Sequence, residues 1–471
     1  MLDALLKSAA SVDSVLWGPW TMVFVALTAL FLTWKAGFFQ LRRFSLIWKN
    51  TFGQILSRPK SEKRGRMTPF QATTTALAST VGMGNIAGIA TALSVGGPGA
   101  IFWMWVLSFF GMMTKTVEIT LAVHYRDTGK DGTLSGGPMA YIRKGLGWTP
   151  LAKLFSAGVL INSVLAASML QSHTVGRAFV KSYGISPYIT TGAMVLVTSV
   201  VILGGIRRIG RFCEALVPFM SLIYLFGGIL VFALNIQKVP EVFATIFRYA
   251  FAPAPAAGGF AGATIAATFR MAMARGMLSN EAGLGTAPMA HATADTTHPF
   301  RQGLWGAFEV FVDTMVICTI TAFAVLSTGV LSNGESGIEL VLAAFSSVFS
   351  SGISGFFIST AILTFCLSTQ IGFFIYFRTA VLDLFGNKAV KPLIGLYLLP
   401  AVLFAGVADV DRLWVFANIS VGVCAIPNLV AVLALNGVFL VLMKDYLSGR
   451  NKFNCAEVDK TGRLARLAKG K

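Results

Sequence analysis

An apolar run over residues 70 to 93 is interrupted at mid-length by Ser79-Thr80-Val81-Gly82-Met83-Gly84-Asn85. An anchoring helix has no use for hydroxyls, two glycines and an amide at that depth, because backbone unwound inside hydrocarbon leaves polar groups that lipid cannot satisfy. The interruption therefore predicts a buried polar ligand rather than a lipid-facing helix. A second interruption is expected about 195 residues later, at Arg275-Gly276-Met277-Leu278-Ser279-Asn280-Glu281-Ala282-Gly283. Two broken helices in corresponding positions are how secondary transporters build a central site.

The rest of the chain reads as an all-α polytopic membrane protein. Of its 471 residues 55% are hydrophobic and 12% charged, and the mean hydropathy is +0.71, outside the composition of soluble domains. Eleven candidate spans lie near 16–39, 70–93, 98–124, 151–176, 187–205, 213–234, 260–290, 303–328, 356–380, 391–408 and 413–443. Each is close to or above the roughly 20 residues that a bilayer requires. With the first set aside, spans two to six and seven to eleven form two groups of five, each opening on a broken helix. Five is odd, so the second group starts from the opposite face and the repeats are inverted. The corresponding division is 1–67 for an N-terminal helix and basic loop, 68–235 and 236–443 for the repeats, and 444–471 for a basic tail.

Of the 38 Lys and Arg, 28 fall on one face and six on the other, with Lys35, Lys115, Arg270 and Arg275 inside spans. The positive-inside rule then predicts an external N terminus and a cytoplasmic C terminus, in a bacterial inner membrane. The net charge of +18 is spread over short loops beside spans, which suits anionic membrane lipid and not nucleic acid. The first run has no basic n-region and no small-residue cleavage pattern, and reads as a retained span. The five cysteines have no metal-like spacing. No phosphate loop, His-Glu-x-x-His pair or nucleophile elbow occurs, so neither an enzyme nor an obligate protein partner is expected.

Gly82 and Gly84 are expected to open the backbone, freeing amides for an anion and carbonyls for a cation. Tight packing through Gly84 and Gly88 is the alternative, but it leaves Asn85 and the hydroxyls in need of partners. Glu281 is costly against lipid; it either carries a coupling charge or pairs with Arg275 or Lys115. Lys115 and Glu118, at i,i+3, can also pair with each other. Glu309 and Asp313, like charges at i,i+4, require a cation, an arginine or water nearby. Span four offers Gln171, Ser172, His173 and Thr174; span nine offers Ser368, Thr369 and Gln370, with Phe373 one turn beyond Thr369. Hydroxyl oxygens are hard ligands that suit sodium, while a helix hydroxyl also bonds its own i−4 carbonyl with no ion present.

These stretches have a family likeness. Thr68-Pro69-Phe70-Gln71, Gly84-Asn85-Ile86-Ala87-Gly88, Gly136-Gly137-Pro138-Met139, Val217-Pro218-Phe219, the run from Arg275 to Gly283, Ala290-His291-Ala292-Thr293 and Pro427-Asn428-Leu429 occur in order. Over residues 68 to 437 the chain resembles the alanine or glycine:cation symporter family. The resemblance implies a leucine-transporter-like fold, with a 5+5 inverted repeat, broken first helices and an extra N-terminal helix. It places a substrate carboxylate near Gly82, Met83, Gly84 and Asn85, with Gln171 reaching in from span four and Thr369 and Phe373 lining the site from span nine. It also implies one sodium ion among carbonyls near Thr80 and Val81 and the hydroxyls of Ser368 and Thr369. The chain departs from the family at Met83, usually a small hydroxyl; at Ser168 and His173, usually asparagines; and at Phe373, usually tryptophan. Ala272 replaces a glycine and Asn418 an aspartate. Tryptophan to phenylalanine opens volume, so alanine and glycine are the default substrates and a larger neutral amino acid such as glutamine an alternative.

The expected activity is sodium-coupled symport of a small neutral amino acid, with sodium as the coupling ion and no other cofactor. A proton-coupled or sodium-independent carrier would need His173, Glu281 or Glu118 to titrate during transport. A membrane sensor would keep the binding site and add signalling, for which no appended domain is visible.

Overall fold

The computed structural model describes residues 2–55, 66–129, 132–256, 260–406, 411–453 and 455. The basic residues expected between 56 and 65, and those of the tail beyond 455, lie outside the described residues. Among the described residues the architecture is helical, with one short antiparallel strand pair, Asp127–Thr128 with Leu134–Ser135.

The first expected span, 16–39, is met by one helix, and a further helix that was not expected precedes it. Helix α1 covers Leu2–Leu16 and α2 covers Pro19–Lys35. They meet at Trp17-Gly18, where proline at the first turn of α2 starts a new helix. The interrupted run is Pro69–Thr80 (α3) and Ile89–Gly96 (α4), joined through a wide π turn at Gly84–Gly88. The two halves are bent by 51°. Beyond them come Ala100–His124 (α5), Thr149–Tyr183 (α6), Pro187–Ile202 (α7), Gly205–Leu234 (α8), Val239–Phe251 (α9) and Ile265–Asn280 (α10). The chain continues with Pro299–Thr328 (α11), Gly337–Ser346 (α12), Ser351–Phe385 (α13), Val390–Leu403 (α14), Asp411–Ala434 (α15) and Asn436–Leu447 (α16).

Among the described residues seven helical stretches are long and apolar enough to cross a bilayer, with Ser8–Lys35 across the α1–α2 junction as one of them, and the bent pair α3–α4 makes up to eight. Three other expected spans are shorter: α7 and α10 have 16 residues each and α14 has 14. At 1.5 Å per residue, 16 residues rise only about 24 Å, against a hydrocarbon core of about 30 Å. The last expected span, 413–443, is broken at Leu435 into α15 and α16.

The second interruption differs from the expectation. Helix α10 runs unbroken through Arg275 and Gly276 and stops at Asn280. Glu281 is left-handed at φ 56, Gly283 and Gly285 follow at φ 95 and 77, and a short helix resumes at Pro288–His291. Beyond that helix, the chain pairs with the start of the first broken helix. Met67 N–H donates to Thr293 O at 3.1 Å, Asp295 N–H to Met67 O at 2.8 Å, and Arg66 meets the Asp295 carboxylate at 3.2 Å. The two broken helices are therefore laced together at one end, with α3 packed against α8 and α13.

Candidate substrate and cation site

Helix α3 is set by its cap. Thr68 accepts from the Gln71 amide, the Gln71 side chain accepts from the Thr68 amide, and Pro69 sits in the first turn. Gln71 Nε2 also donates to Glu214 at 2.9 Å. At the other end Val81 is extended, with φ,ψ of −78 and 93, so the last carbonyls of α3 have no helical partner further along the chain.

The break is already saturated by side chains. Gly82 N–H donates to Asn85 Oδ1 at 3.0 Å, and Met83 N–H to Gln171 Oε1 at 3.2 Å. A ligand carboxylate reaching the Met83 amide must displace the Gln171 oxygen. Neither Gly82 nor Gly84 has a positive φ, so conformational freedom is not why they are glycines. A Cβ on Gly82 would collide with Thr369 Oγ1 and lie 3.3 Å from Gln171 Oε1, whereas one on Gly84 would meet Ser279 Cα at an ordinary 3.5 Å.

Asn85 was expected at the substrate, and the structure gives it another place. Its Nδ2 donates to Asp313 at 2.7 Å and to Ser279 Oγ at 3.1 Å, and Ser279 donates to the other Asp313 oxygen at 2.7 Å. This staple joins the first break to α10 and to a π turn of α11 at Phe311–Cys318. Asp313 is fully buried and was read from the sequence only as half of a like-charge pair. The signal for it was a carboxylate in an apolar span; its partners, more than two hundred residues away in one case, were not legible.

A second buried network secures the other break. Lys115 pairs with Glu309 at 3.1 Å and donates to the Asn280 carbonyl at 2.8 Å. Glu309 also meets His291 Nε2 at 2.6 Å, and His291 Nδ1 takes the Gln302 amide at 2.9 Å. Lys115 therefore does not pair with Glu118, which instead accepts from Asn428 at 2.5 Å. Arg275 does not pair with Glu281 either; its guanidinium lies 4.5 Å from the centre of the Trp414 ring.

A narrow cavity of about 20 Å³ lies at the breaks, room for one or two waters. Thr80, Gly82, Met83, Gly84, Gln171 and Phe373 line it, as does Glu281. Asn85 and Thr369 do not; Thr369 sits behind Gly82. Gln171 follows a π turn at Ser163–Leu170, a distortion that recurs at functional sites. Phe373 packs edge-on against Tyr376, ring centres 4.8 Å apart. His173 is buried away from the cavity. Thr174 bonds its i−4 carbonyl, but the buried Ser172 hydroxyl has no hydrogen-bond partner among the described residues.

Two larger spaces lie among the described residues. One of about 300 Å³, lined by Asp13, Trp17, Arg270, Arg275 and Asn418, shares Leu278 and Val421 with the narrow cavity. The other, about 560 Å³, is lined by Asp127, Arg143, Arg378 and Asp383 and shares no lining residue with it. Arg143 and Asp383 form an ion pair there, and Ser156 also donates to Asp383 at 2.7 Å.

Next to the cavity, α13 presents two hydroxyls to the end of α3. Ser368 Oγ and Thr369 Oγ1 bond the Phe365 carbonyl at 2.8 and 3.0 Å. They also lie 3.4 Å from Ala78 O and Val81 O respectively. A hydroxyl has one proton, and the shorter bonds take the larger share of it. Each longer contact is therefore the weaker arm of a shared hydrogen bond. Thr80, expected to supply a carbonyl here, is not approached by either hydroxyl, and its own side chain bonds Ala76 O and Leu77 O at 3.3 and 3.2 Å.

The profile of the sodium:alanine symporter family matches residues 2–460. The chain belongs to that family. It is 38% identical over 439 residues to the sodium/alanine symporter AgcS of Methanococcus maripaludis, covering 91% of this chain and 94% of that one. It is 36% identical over 438 residues to the probable sodium/glutamine symporter GlnT of Bacillus subtilis, covering 92% and 89%. Among solved structures, MhsT in complex with L-phenylalanine superposes with a TM-score of 0.59 at 13% identity, over 87% of this chain and 98% of that one. That likeness establishes the leucine-transporter-like fold. The protein is thus a multi-pass α-helical membrane transporter, not an enzyme.

Proposed function

We propose that the cavity at the breaks, which has room only for one or two waters with Gln171 in place, opens to hold one small neutral amino acid, and that a sodium ion sits beside it between α3 and α13. Family membership makes the protein a secondary transporter that couples small neutral amino acids to sodium. The residue assignment is our own reading. The observation that carries it is the pair of 3.4 Å contacts, Ser368 to Ala78 O and Thr369 to Val81 O. Two ligands at right angles on a cation with metal–oxygen distances of about 2.4 Å, a value borrowed from calcium sites, are about 3.4 Å apart. A cation between α3 and α13 would draw both hydroxyl oxygens and both carbonyl oxygens onto itself in place of these weak bonds. The carbonyl ligands are accordingly those of Ala78 and Val81 in place of Thr80.

The substrate lies against Gly82, Met83, Gly84 and Gln171, with Phe373 as the far wall. Its carboxylate takes the Met83 amide once Gln171 turns. Thr369 acts from behind through sodium, and Asn85 holds the break in shape. Alanine or glycine fits this wall, and the relative GlnT makes glutamine the larger candidate. Eleven crossings, counting the short helices α7, α10 and α14 as spans, are part of the same reading, with 68–235 and 236–443 as inverted repeats and 1–67 and 444–471 outside them. The excess of Lys and Arg on one face supports an external N terminus and a cytoplasmic C terminus in a bacterial inner membrane. The 300 Å³ space is then the external approach, closed from the site by Leu278 and Val421.

One relative, YrbD of Bacillus subtilis, 34% identical, is named a putative sodium/proton-dependent alanine carrier, and proton coupling is the second reading. Proteoliposome uptake separates the two. Replacing Ser368 and Thr369 together by alanine should raise the sodium concentration for half-maximal alanine uptake at least tenfold. Unchanged sodium dependence in that variant overturns the assignment.

A further inference from the structure

Glu281 bears two costs at once. Its backbone is left-handed, at φ 56, at a helix end where glycine or asparagine is the usual occupant. The residue is 2% exposed in the interior of a membrane protein, where an ionisable side chain is expensive and marks a pathway or a partner. Strain that persists at a ligand site is part of what the site does.

Neither ion pair considered for it forms. Lys115 makes its direct contacts with Glu309 and with the Asn280 carbonyl, and Arg275 stacks on Trp414. Thr286 donates to Glu281 Oε2 at 2.8 Å, the one hydrogen bond to that carboxylate among the described residues. Glu281 also lines the cavity that Gly82, Met83 and Gln171 line. The cavity therefore brings together the backbone amides of the first break, the Gln171 amide on α6, and Glu281 just past the end of α10.

We propose that Glu281 accepts the α-ammonium group of the substrate and so restricts the ligands to amino acids with a free, protonated amine. This rests on the reading of the cavity as the substrate site. A zwitterion carries both charges on one carbon, so it needs an anion-binding wall and a cation-binding wall within a few ångströms of each other. With the carboxylate at the Met83 amide, the ammonium has Glu281 as its acidic partner. The reverse orientation would set carboxylate against carboxylate in a site of low dielectric, where like charges are strongly disfavoured.

The test uses the full chain in proteoliposomes, with labelled alanine taken up under a sodium gradient and competed by unlabelled alanine, lactate and propionate. Lactate replaces the ammonium by a hydroxyl, and propionate removes it. In the unmodified protein alanine should compete at least a hundredfold better than either. In Glu281→Gln the KM for alanine should rise at least tenfold and the advantage over lactate should shrink by a similar factor, with half-saturation by sodium within twofold. Glu281→Asp should fall between the two. An unchanged alanine KM in Glu281→Gln overturns the proposal, as does a change in sodium half-saturation with the alanine-to-lactate ratio intact. If neither variant folds, the unmodified protein still decides, because equal competition by lactate and alanine is incompatible with an ammonium acceptor. Phe373→Trp keeps the two claims apart: if it leaves side-chain preference untouched the cavity itself is misassigned, whereas a failure confined to Glu281 leaves the cavity standing.

Discussion

Adding one methyl group at Gly82 should damage sodium binding, while the same change two residues later should not. The Cβ of Gly82→Ala would collide with Thr369 Oγ1, with Gln171 Oε1 at 3.3 Å and Thr369 Cβ at 3.4 Å as its next neighbours. Thr369 can escape only by turning its hydroxyl away, which breaks its 3.0 Å bond to Phe365 O and its approach to Val81 O. Overpacking of this kind costs about 1–3 kcal/mol, or roughly 5- to 150-fold in an equilibrium constant. Because the displaced atom is a proposed sodium ligand, most of that loss should appear as a higher sodium requirement. At Gly84 the added carbon meets Ser279 Cα at 3.5 Å, ordinary contact, and alanine gains up to about 1 kcal/mol of helix propensity. The assay is alanine uptake in proteoliposomes as a function of sodium, with thermal melting of the purified variants as the folding control. A normal sodium curve for Gly82→Ala, or a larger defect for Gly84→Ala, would refute the reasoning.

Phe373→Trp should contract the cavity and shift competition against labelled alanine toward glycine and away from valine, methionine and glutamine. About 1–3 kcal/mol per methylene sets the scale, and an identical rank order and spacing in both proteins would remove Phe373 from the selectivity wall. Lys115→Met leaves Glu309 buried without its cation and should cost about 3–5 kcal/mol; Lys115→Met with Glu309→Gln should cost less than the sum of the single changes, as read by thermal melting. His298 caps α11 by accepting the Phe300 amide at Nδ1, and its Nε2 faces Asp445 at 3.3 Å. Burial pushes its pKa below the ordinary 6.5, against the pull of Asp445. The neutral ring is thus favoured in the folded protein, and its contribution, present above pH 6.5, is lost as the pH falls toward the folded-state value. The melting temperature of His298→Asn should therefore drop less between pH 7.5 and 5.5 than that of the unmodified protein, and parallel curves would contradict this.

The first break was legible because Val81-Gly82-Met83-Gly84 lies inside an apolar run, where nothing else explains the composition. Its chemistry was less so. The sequence suggested open amides, and the structure has them occupied by Asn85 and Gln171, since a buried N–H is paired wherever a side chain can reach it. The second break was expected over Arg275 to Gly283, and the helix persists through the first six of those residues, since one glycine costs a helix only about 1 kcal/mol. The break waits for Glu281, a left-handed residue of a type that rarely adopts that conformation. The hydroxyls of α13 were visible as a pair, but which carbonyls they face depends on how α3 and α13 pack. That is why Thr80 was expected where Ala78 is found. The roles of Asp313 and Lys115 were not recoverable for the same reason: each partner lies on another helix, and spacing within one helix favoured Glu118 for Lys115. Helix α1 was not expected because the first apolar span was read as starting near residue 16, after it.

The central claim is that a sodium ion held between Ala78, Val81, Ser368 and Thr369 drives accumulation of the amino acid beside it. The most direct measurement is uptake of labelled alanine into proteoliposomes under an imposed inward sodium gradient, with choline replacing sodium in the control. The account predicts accumulation above the external concentration in sodium, none in choline, and loss of sodium affinity in the variant with alanine at both 368 and 369. Equal uptake in choline driven by a pH gradient, or a double variant that keeps the sodium dependence of the unmodified protein, would contradict it.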